Sequence, residues 1–460
     1  MLKNDLVTVT CERLGTGGEG VASAEGITLF VPNLLTGERA LVKVLAVKDK
    51  VAYGKVEELY TPAEQRVRPA CAVFGKCGGC QLQHLRYRYQ LLFKTDLVKN
   101  TLKKIGNISA QVSPCVKSDK EYGYRNKLIL PIGQKDNQTV VGFYAERSHR
   151  IVETSDCPIS DWAGKVIAAV KNFSEKCGLD GYDEVTGKGQ LRHIAVRQLG
   201  KKFIVVLVVT EPIKGADYLI SLLDNVFKEY SFFLNFNSEK TNVVFGKEYQ
   251  LLKGSATYTV EEAGITFEAG AQTFVQVNEG VRKKLYEGAL ALIDGDETVI
   301  DCYSGGGLLT AMFAKKCKKA YGIELVEEAG ECARRLCAMN GLEGKMFNIT
   351  GRVEDELPAL LKKEKNAAVV LDPPRAGVDK SVLAALSQAE TKKIIMISCN
   401  PATLARDLGI LTGTLVWDEK GNLVKAPSPE GKYEIVSVQP FDMFPQTKHV
   451  ETLVCLRTKS

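Results

Sequence analysis

Thr298-Val299-Ile300-Asp301-Cys302-Tyr303-Ser304-Gly305-Gly306-Gly307 is the stretch on which the fold turns. Thr298 to Asp301 reads as a strand that ends on an acid, Gly305 to Gly307 as a turn, and Leu308 to Lys316 as a helix. Strand, glycine turn and helix in that order bring backbone N–H groups to a ligand at a helix N-terminus. Outward from it, strands and helices alternate regularly from about residue 266 onward, the pattern of a parallel sheet with crossover helices. The next strand ends at Glu324, about the distance at which an acid reaches ribose hydroxyls. Ala367 to Leu371 then runs into Asp372-Pro373-Pro374-Arg375, and Lys393 to Ile397 runs into Ser398-Cys399-Asn400-Pro401.

Ligands of open α/β sheets bind outside the carboxyl ends of the strands, so Asp372 and Cys399 are expected to face one crevice. The turn lacks a full G-x-G-x-x-G because Thr310 takes the last position. That argues against a pyrophosphate cofactor and for S-adenosylmethionine, which has no phosphate to cradle. Arg375 follows the proline pair where amino-methylating enzymes place an aromatic to stack on the base, which disfavours that chemistry. Cys399 alone reads as a buried strand-end cysteine, inert like most free thiols. With a carboxylate base at Glu451 on a later strand, thiol and acid together suit methyl transfer to the carbon of a pyrimidine.

The chain has 460 residues, enough for two or three domains, with 45% hydrophobic and 25% charged residues and a net charge of +6. The longest apolar run, Phe203 to Val209, is far too short to span a bilayer and reads as a buried strand. No basic-then-apolar leader occupies Met1 to Thr10, so no membrane partner and a cytoplasmic location are expected. Arg86-Tyr87-Arg88-Tyr89 alternates cations with aromatics, which fits either stacking on bases or a solvated helix face. Of the thirteen cysteines, Cys317, Cys332 and Cys337 fall in helices or strands as small buried hydrophobes.

Residues 1–60 alternate as short strands broken by glycines and are expected to form a small, five-stranded OB-like β-barrel. Residues 61–265 form a β-rich central domain, with a hairpin at Gly200-Lys201-Lys202 and a helix from Tyr87 to Lys104 that is a candidate to pack on the catalytic domain. Residues 266–460 are the Rossmann-like α/β domain. Cys71, Cys77 and Cys80 follow a Cys-x5-Cys-x2-Cys spacing with Gly78-Gly79 between the last pair, and Cys157 is the best fourth ligand. One Cys-x-x-Cys pair is short of the two that zinc sites usually offer; an irregular all-thiolate set fits an iron–sulfur cluster better.

Gly18-Glu19-Gly20-Val21-Ala22, Phe30-Val31-Pro32 and Leu35-Thr36-Gly37-Glu38 resemble the TRAM domain, an OB-like RNA-binding barrel. Gln272 to Asn278, Asp301 to Gly307, Asp372 to Gly377, Ser398 to Pro401 and Phe444-Pro445-Gln446-Thr447-Lys448-His449-Val450-Glu451 together resemble the RNA uracil-5-methyltransferase family. Barrel and cysteine cluster make the chain most similar to the 23S ribosomal RNA branch, with Tyr124-Arg125-Asn126-Lys127 adding to the match. The resemblance implies a monomeric S-adenosylmethionine-dependent enzyme of rRNA processing that binds RNA and carries an iron–sulfur (4Fe-4S) cluster. It implies that Phe274 holds the flipped target base, and that Gln276, Tyr303, Glu324 and Asp372 line the cofactor and base pocket. Cys399 would add to uracil C6 and Glu451 would remove the C5 proton. Gln276 and Asn278 also read as caps of a helix starting near Val277, and Glu451 as a surface partner of Lys448. Ser304, Arg352 and Gln446 depart from the family pattern, and Arg352 leaves the adenine contact unassigned. Transfer RNA as substrate, or a non-catalytic RNA-binding protein on the same fold, are the competing readings.

Overall fold

The computed structural model describes residues 1–273 and 276–459. Internal contacts divide the chain into two units: Met1–Gln90, Lys120–Ala256 and Phe444–Lys448 form one, and Leu91–Asp119, Thr257–Met443 and the chain from His449 form the other.

In the first unit the N-terminal barrel is a six-stranded sheet, in the order Leu6–Thr10, Arg39–Lys48, Val51–Thr61, Ile27–Val31, Gly20–Ala24 and Arg13–Leu14. The expected five strands become six because the short pair Arg13–Leu14 adds to Gly20–Ala24. Strand alternation sends Val9, Leu29, Val31, Val42, Val44 and Ala52 inward to a closed core. Glu38 has no exposed surface, and its carboxylate accepts from Leu35 and Ala63 N–H and from Arg66, closing the strand turn with every lone pair engaged.

The same unit holds a seven-stranded sheet ordered Glu248–Lys253, Tyr230–Phe236, Lys202–Val209, Leu191–Leu199, Lys127–Lys135, Gln138–Tyr144 and Ile151–Glu153. The apolar run from Phe203 is one of its strands, joined antiparallel to Leu191–Leu199 through the expected hairpin. Two helices, Ala163–Cys177 and Ala216–Asp224, cover it; the strand-rich reading of this region missed both. Val166, Ile167, Val170 and Phe173 give the first helix a buried stripe at helical spacing.

In the second unit the seven-stranded sheet runs Met346–Thr350, Lys319–Glu324, Thr298–Cys302, Ala368–Leu371, Lys393–Ser398, Glu451–Thr458 and Tyr433–Phe441. The first five are parallel, and Glu451–Thr458 lies antiparallel to both neighbours. Strand order reverses at Thr298–Cys302 and Ala368–Leu371, which opens the crevice where such folds bind ligands. The Rossmann-like α/β expectation is borne out. Val98 and Leu102 of the helix Tyr87–Lys104 share the core of Ile300, Val369, Ile394 and Leu456.

Lys94 on that helix pairs with Asp442, and neither side chain has exposed surface. Removing one member of such a pair strands a charge in a low-dielectric core. Asp442→Ala is therefore expected to cost about 3–5 kcal/mol, read from denaturant unfolding followed by a probe in this unit, and Asp442→Asn less. A loss below about 1 kcal/mol would place the pair among those contributing little.

Candidate active site

The glycine turn is held from both sides. Ser304 N–H donates to Ile323 O at 3.0 Å, and Gly305 N–H donates to Glu324 Oε2 at 2.9 Å. Glu324 Oε1 accepts from Val326 N–H at 2.8 Å, so its carboxylate is fixed at the strand end. A Cβ on Gly322 would come within 2.9 Å of Ser304 Oγ and 3.1 Å of Thr310 Oγ1, so the turn packs onto its neighbouring strand only because that residue is glycine. Gly307, at φ 81°, starts the helix Leu308–Lys316 in the left-handed region. Thr310, where a dinucleotide fold would have glycine, donates its hydroxyl to Asp301 Oδ2 at 2.5 Å. Tyr303 precedes the turn with φ 66°, itself in the left-handed region.

Cys399 sits between two fixed points. Ser398 ends its strand, and its Oγ accepts from Asn400 N–H at 3.2 Å. Asn400 caps the helix Pro401–Thr412 by accepting from Ala402 N–H at 3.1 Å, with Pro401 in the first turn. The Asn400 amide also donates to Arg375 O at 3.0 Å, which ties the Asp372-Pro373-Pro374-Arg375 loop to the cysteine loop. Asp407, buried on the same helix, accepts from Val378 N–H at 2.9 Å and anchors the far end of that loop.

Glu451 opens the strand Glu451–Thr458, whose register against Lys393–Ser398 pairs Thr452 with Ser398. One step further the register sets Glu451 beside Cys399. Glu451 is 3% exposed, so it does not lie on a surface strand. Asp301, Tyr303, Gln276, Asp372, Arg375, Cys399 and Glu451 line one cleft of about 350 Å³ in this unit. The cleft also takes in Cys332 and Leu336 from the helix Glu327–Met339, which nothing in their sequence context had marked.

Electrostatically the cleft is acid-rich, with Glu268, Asp301, Asp372 and Glu451 against Arg282 and Arg375. Burial pushes Asp301 and Asp372 each up to about 7. Burial, then the charge of Asp372, pushes Glu451 up to about 8 against the pull of Arg375. Burial and Glu451 also raise the Cys399 thiol, while the Arg375 guanidinium, hydrogen-bonded to it, draws it down. Arg282, the other cation lining the cleft, is engaged with Glu262.

The sequence-derived positions fare differently. Phe274 lies outside the described residues. Asn278 is the helix cap: its Oδ1 accepts from Val281 N–H at 3.3 Å, and the helix starts at Glu279, two residues later than expected. Gln276 lines the cleft and is no cap; its carbonyl accepts from Arg282 at 3.3 Å. Gln446 is a packing node, with Oε1 accepting from Gln90 at 2.9 Å and its N–H donating to Gln90 Oε1 at 3.0 Å. Arg352 lies outside the cleft lining and sits 3.7 Å from Glu354.

Cys71, Cys77, Cys80 and Cys157 are free thiols in the first unit. Burial pushes the Cys157 thiol up, and the neighbouring thiols Cys80, Cys71 and Cys77 raise it further. Among the described residues no three His, Cys, Asp or Glu side chains are close enough to hold a single metal ion. No described helix is long and apolar enough to cross a membrane.

Sheet order and cleft define a Rossmann-like S-adenosylmethionine-dependent methyltransferase domain. The family described as tRNA (uracil-5-)-methyltransferase matches residues 197–459, and the TRAM domain matches residues 3–56. The chain belongs to this RNA uracil-5-methyltransferase family and is an RNA methyltransferase. Uncharacterized RNA methyltransferases of Clostridium acetobutylicum and Listeria innocua are 36% and 38% identical to it, each over 99% of this chain and over 97% and 98% of their own lengths. The solved structure of Pyrococcus abyssi tRNA (uracil-54, C5)-methyltransferase, in complex with S-adenosyl-L-homocysteine, superposes with a TM-score of 0.75 at 25% identity. That match covers 98% of this chain and 99% of that one.

Proposed function

We propose that the chain methylates C5 of a uridine in 23S ribosomal RNA through a covalent bond between Cys399 and uracil C6. The observation that carries this reading is the meeting of Cys399 and Glu451 at adjacent strand ends, in a cleft shared with Asp372 and the glycine turn. S-adenosylmethionine, when bound, supplies an electrophilic methyl group; Glu324, fixed by Gly305 and Val326 under the glycine turn, would take ribose hydroxyls, and Gln276, Tyr303 and Asp372 line the cleft that would hold the rest. Uracil C5 is too weakly nucleophilic to react unaided. The Cys399 thiolate adds to C6, which makes C5 an enolate carbon. Arg375 opposes the surrounding negative charge as the thiolate forms. After the methyl is on C5, Glu451 takes the C5 proton and Cys399 leaves as thiolate, restoring the ring. An acid raised to about 8 has the basicity such a proton acceptor needs near neutral pH. The target base must leave its stack to enter; the assignment of Phe274 to hold it rests on the family resemblance.

The ribosomal choice rests on the barrel combined with the cysteine set. Transfer RNA is the second reading, favoured by the full-length likeness to the Pyrococcus enzyme. Mapping 5-methyluridine in ribosomal and transfer RNA of a deletion strain decides between them: loss from 23S RNA supports the first, loss from transfer RNA alone the second. The proposed setting is a cytoplasmic monomer.

Cys71, Cys77, Cys80 and Cys157 are proposed to hold an iron–sulfur cluster. The irregular all-thiolate spacing of Cys71, Cys77 and Cys80 supports this reading, and Cys157 lies within electrostatic reach of all three. Such a group would brace these loops. Anaerobically purified protein should be brown, with iron and acid-labile sulfide; zinc without iron would reject the assignment. Replacing Cys157 is expected to weaken folding and RNA docking more than the chemical step.

A further inference from the structure

Phe30 and Tyr53 are register partners on the neighbouring parallel strands Ile27–Val31 and Val51–Thr61. Leu29, Val31 and Ala52, beside them, point into the barrel core with no exposed surface, so the pleat turns the two rings outward. The rings stack at 5.9 Å with an interplanar angle of 28°, and Tyr53 keeps 50% of its surface exposed. Exposed apolar surface rimmed by polar residues is the signature of an interaction site.

They form one wall of a cleft of about 400 Å³, entirely within the first unit. The Gly17-Gly18 turn and the cations Lys76, Arg147 and Lys448 make up much of the rest. Two acids, Glu19 and Glu146, also line it, so cations outnumber acids three to two. Glu19 lies against the Gly15–Gly17 turn, its carboxylate oxygens 2.5 and 2.4 Å from where Cβ atoms on Gly15 and Gly17 would stand. No ion pair among the described residues engages Lys76, Arg147 or Lys448.

Stacked rings offer a π-face that only an unstacked base uses, and uncommitted cations beside them suit a phosphate. A cleft of this size admits one nucleotide and no duplex. We propose that it takes a single unpaired nucleotide of the RNA substrate, with the base on Tyr53 and the phosphate among Lys76, Arg147 and Lys448. This rests on the RNA reading above and adds a docking point separate from the methylation cleft. Cys77 and Cys80 line the same cleft, so order in the cysteine loop and occupancy by the nucleotide are linked.

The test uses the full chain and the RNA that the parent methylates. Tyr53→Ala is expected to raise KM for RNA about tenfold, with kcat and KM for S-adenosylmethionine unchanged, while Tyr53→Phe and Tyr53→Trp stay near parental. Lys76→Ala and Arg147→Ala, at exposed positions that do not burden the fold, should each reduce the slope of log affinity against log salt by about 0.7. RNA carrying 4-thiouridine should crosslink to the peptide containing Tyr53. Parental KM in Tyr53→Ala together with unchanged salt slopes, in protein that still methylates RNA, overturns the site. Failure of the parent to methylate any RNA overturns the underlying reading instead.

Discussion

Cys399→Ala is expected to abolish methylation while leaving the dissociation constant for S-adenosylmethionine unchanged. Without the thiol, C5 has no route to the enolate character it needs, so the loss falls on the chemical step and not on cofactor binding. The glycine turn, held by Glu324, and Tyr303, where the cofactor is proposed to bind, do not depend on the Cys399 side chain. The backbone at 399 is set by the Ser398 hydroxyl and the Asn400 cap, so alanine fits there without strain. RNA with 5-fluorouridine at the target cannot lose its C5 substituent as a proton, and should trap a covalent complex in the parent. That complex should be missing from Cys399→Ala on a denaturing gel. Its persistence would move the nucleophile to another residue. Cys332, the other thiol lining the cleft, would be tested next.

How much of this is legible in the sequence depends on whether the signal is local. Tyr87–Lys104 and Leu308–Lys316 matched their helical readings because periodicity and flanking residues lie within each segment. The strand ends bearing Glu324, Asp372 and Cys399 were legible for the same reason, since each apolar run stops at a polar residue. The burial of Glu451 was not legible. It follows from its strand being inserted antiparallel between Lys393–Ser398 and Tyr433–Phe441, a pairing decided by residues far apart in the chain. Asp407 carries no local signal, and Gln446 shows only as a departure from the family pattern, because their partners, Val378 and Gln90, lie far off in the chain. The helix Ala163–Cys177 was lost among strongly β-forming neighbours, although its own apolar stripe was present. The outward turn of Phe30 and Tyr53 likewise needs the register of two strands that are not consecutive in the chain.

Glu451→Gln separates forming the covalent bond from releasing it. Glutamine matches the protonated acid in shape, and the Cys399 thiol and the cofactor turn remain in place. Addition to C6 and methyl transfer should therefore proceed, and elimination should stall for want of an acceptor for the C5 proton. Loss of a general base costs about 10²–10⁴-fold, so a methylated RNA–protein adduct should accumulate with ordinary uridine RNA. Parental elimination should rise with pH toward a plateau above about 8, because burial and Asp372 hold Glu451 protonated below that value. The same shift has a stability consequence of fixed sign. Glu451 rises from 4.5 in the unfolded chain to about 8 in the fold, so the folded state binds its proton more tightly. The stabilisation is complete below about 4.5 and is lost as pH climbs through about 8. Glu451→Gln, which cannot ionise, should consequently melt above the parent at pH 9, with the gap closing toward pH 5. A variant with near-parental turnover, no trapped adduct and no pH-dependent difference in melting would remove Glu451 from both the mechanism and the buried acid cluster.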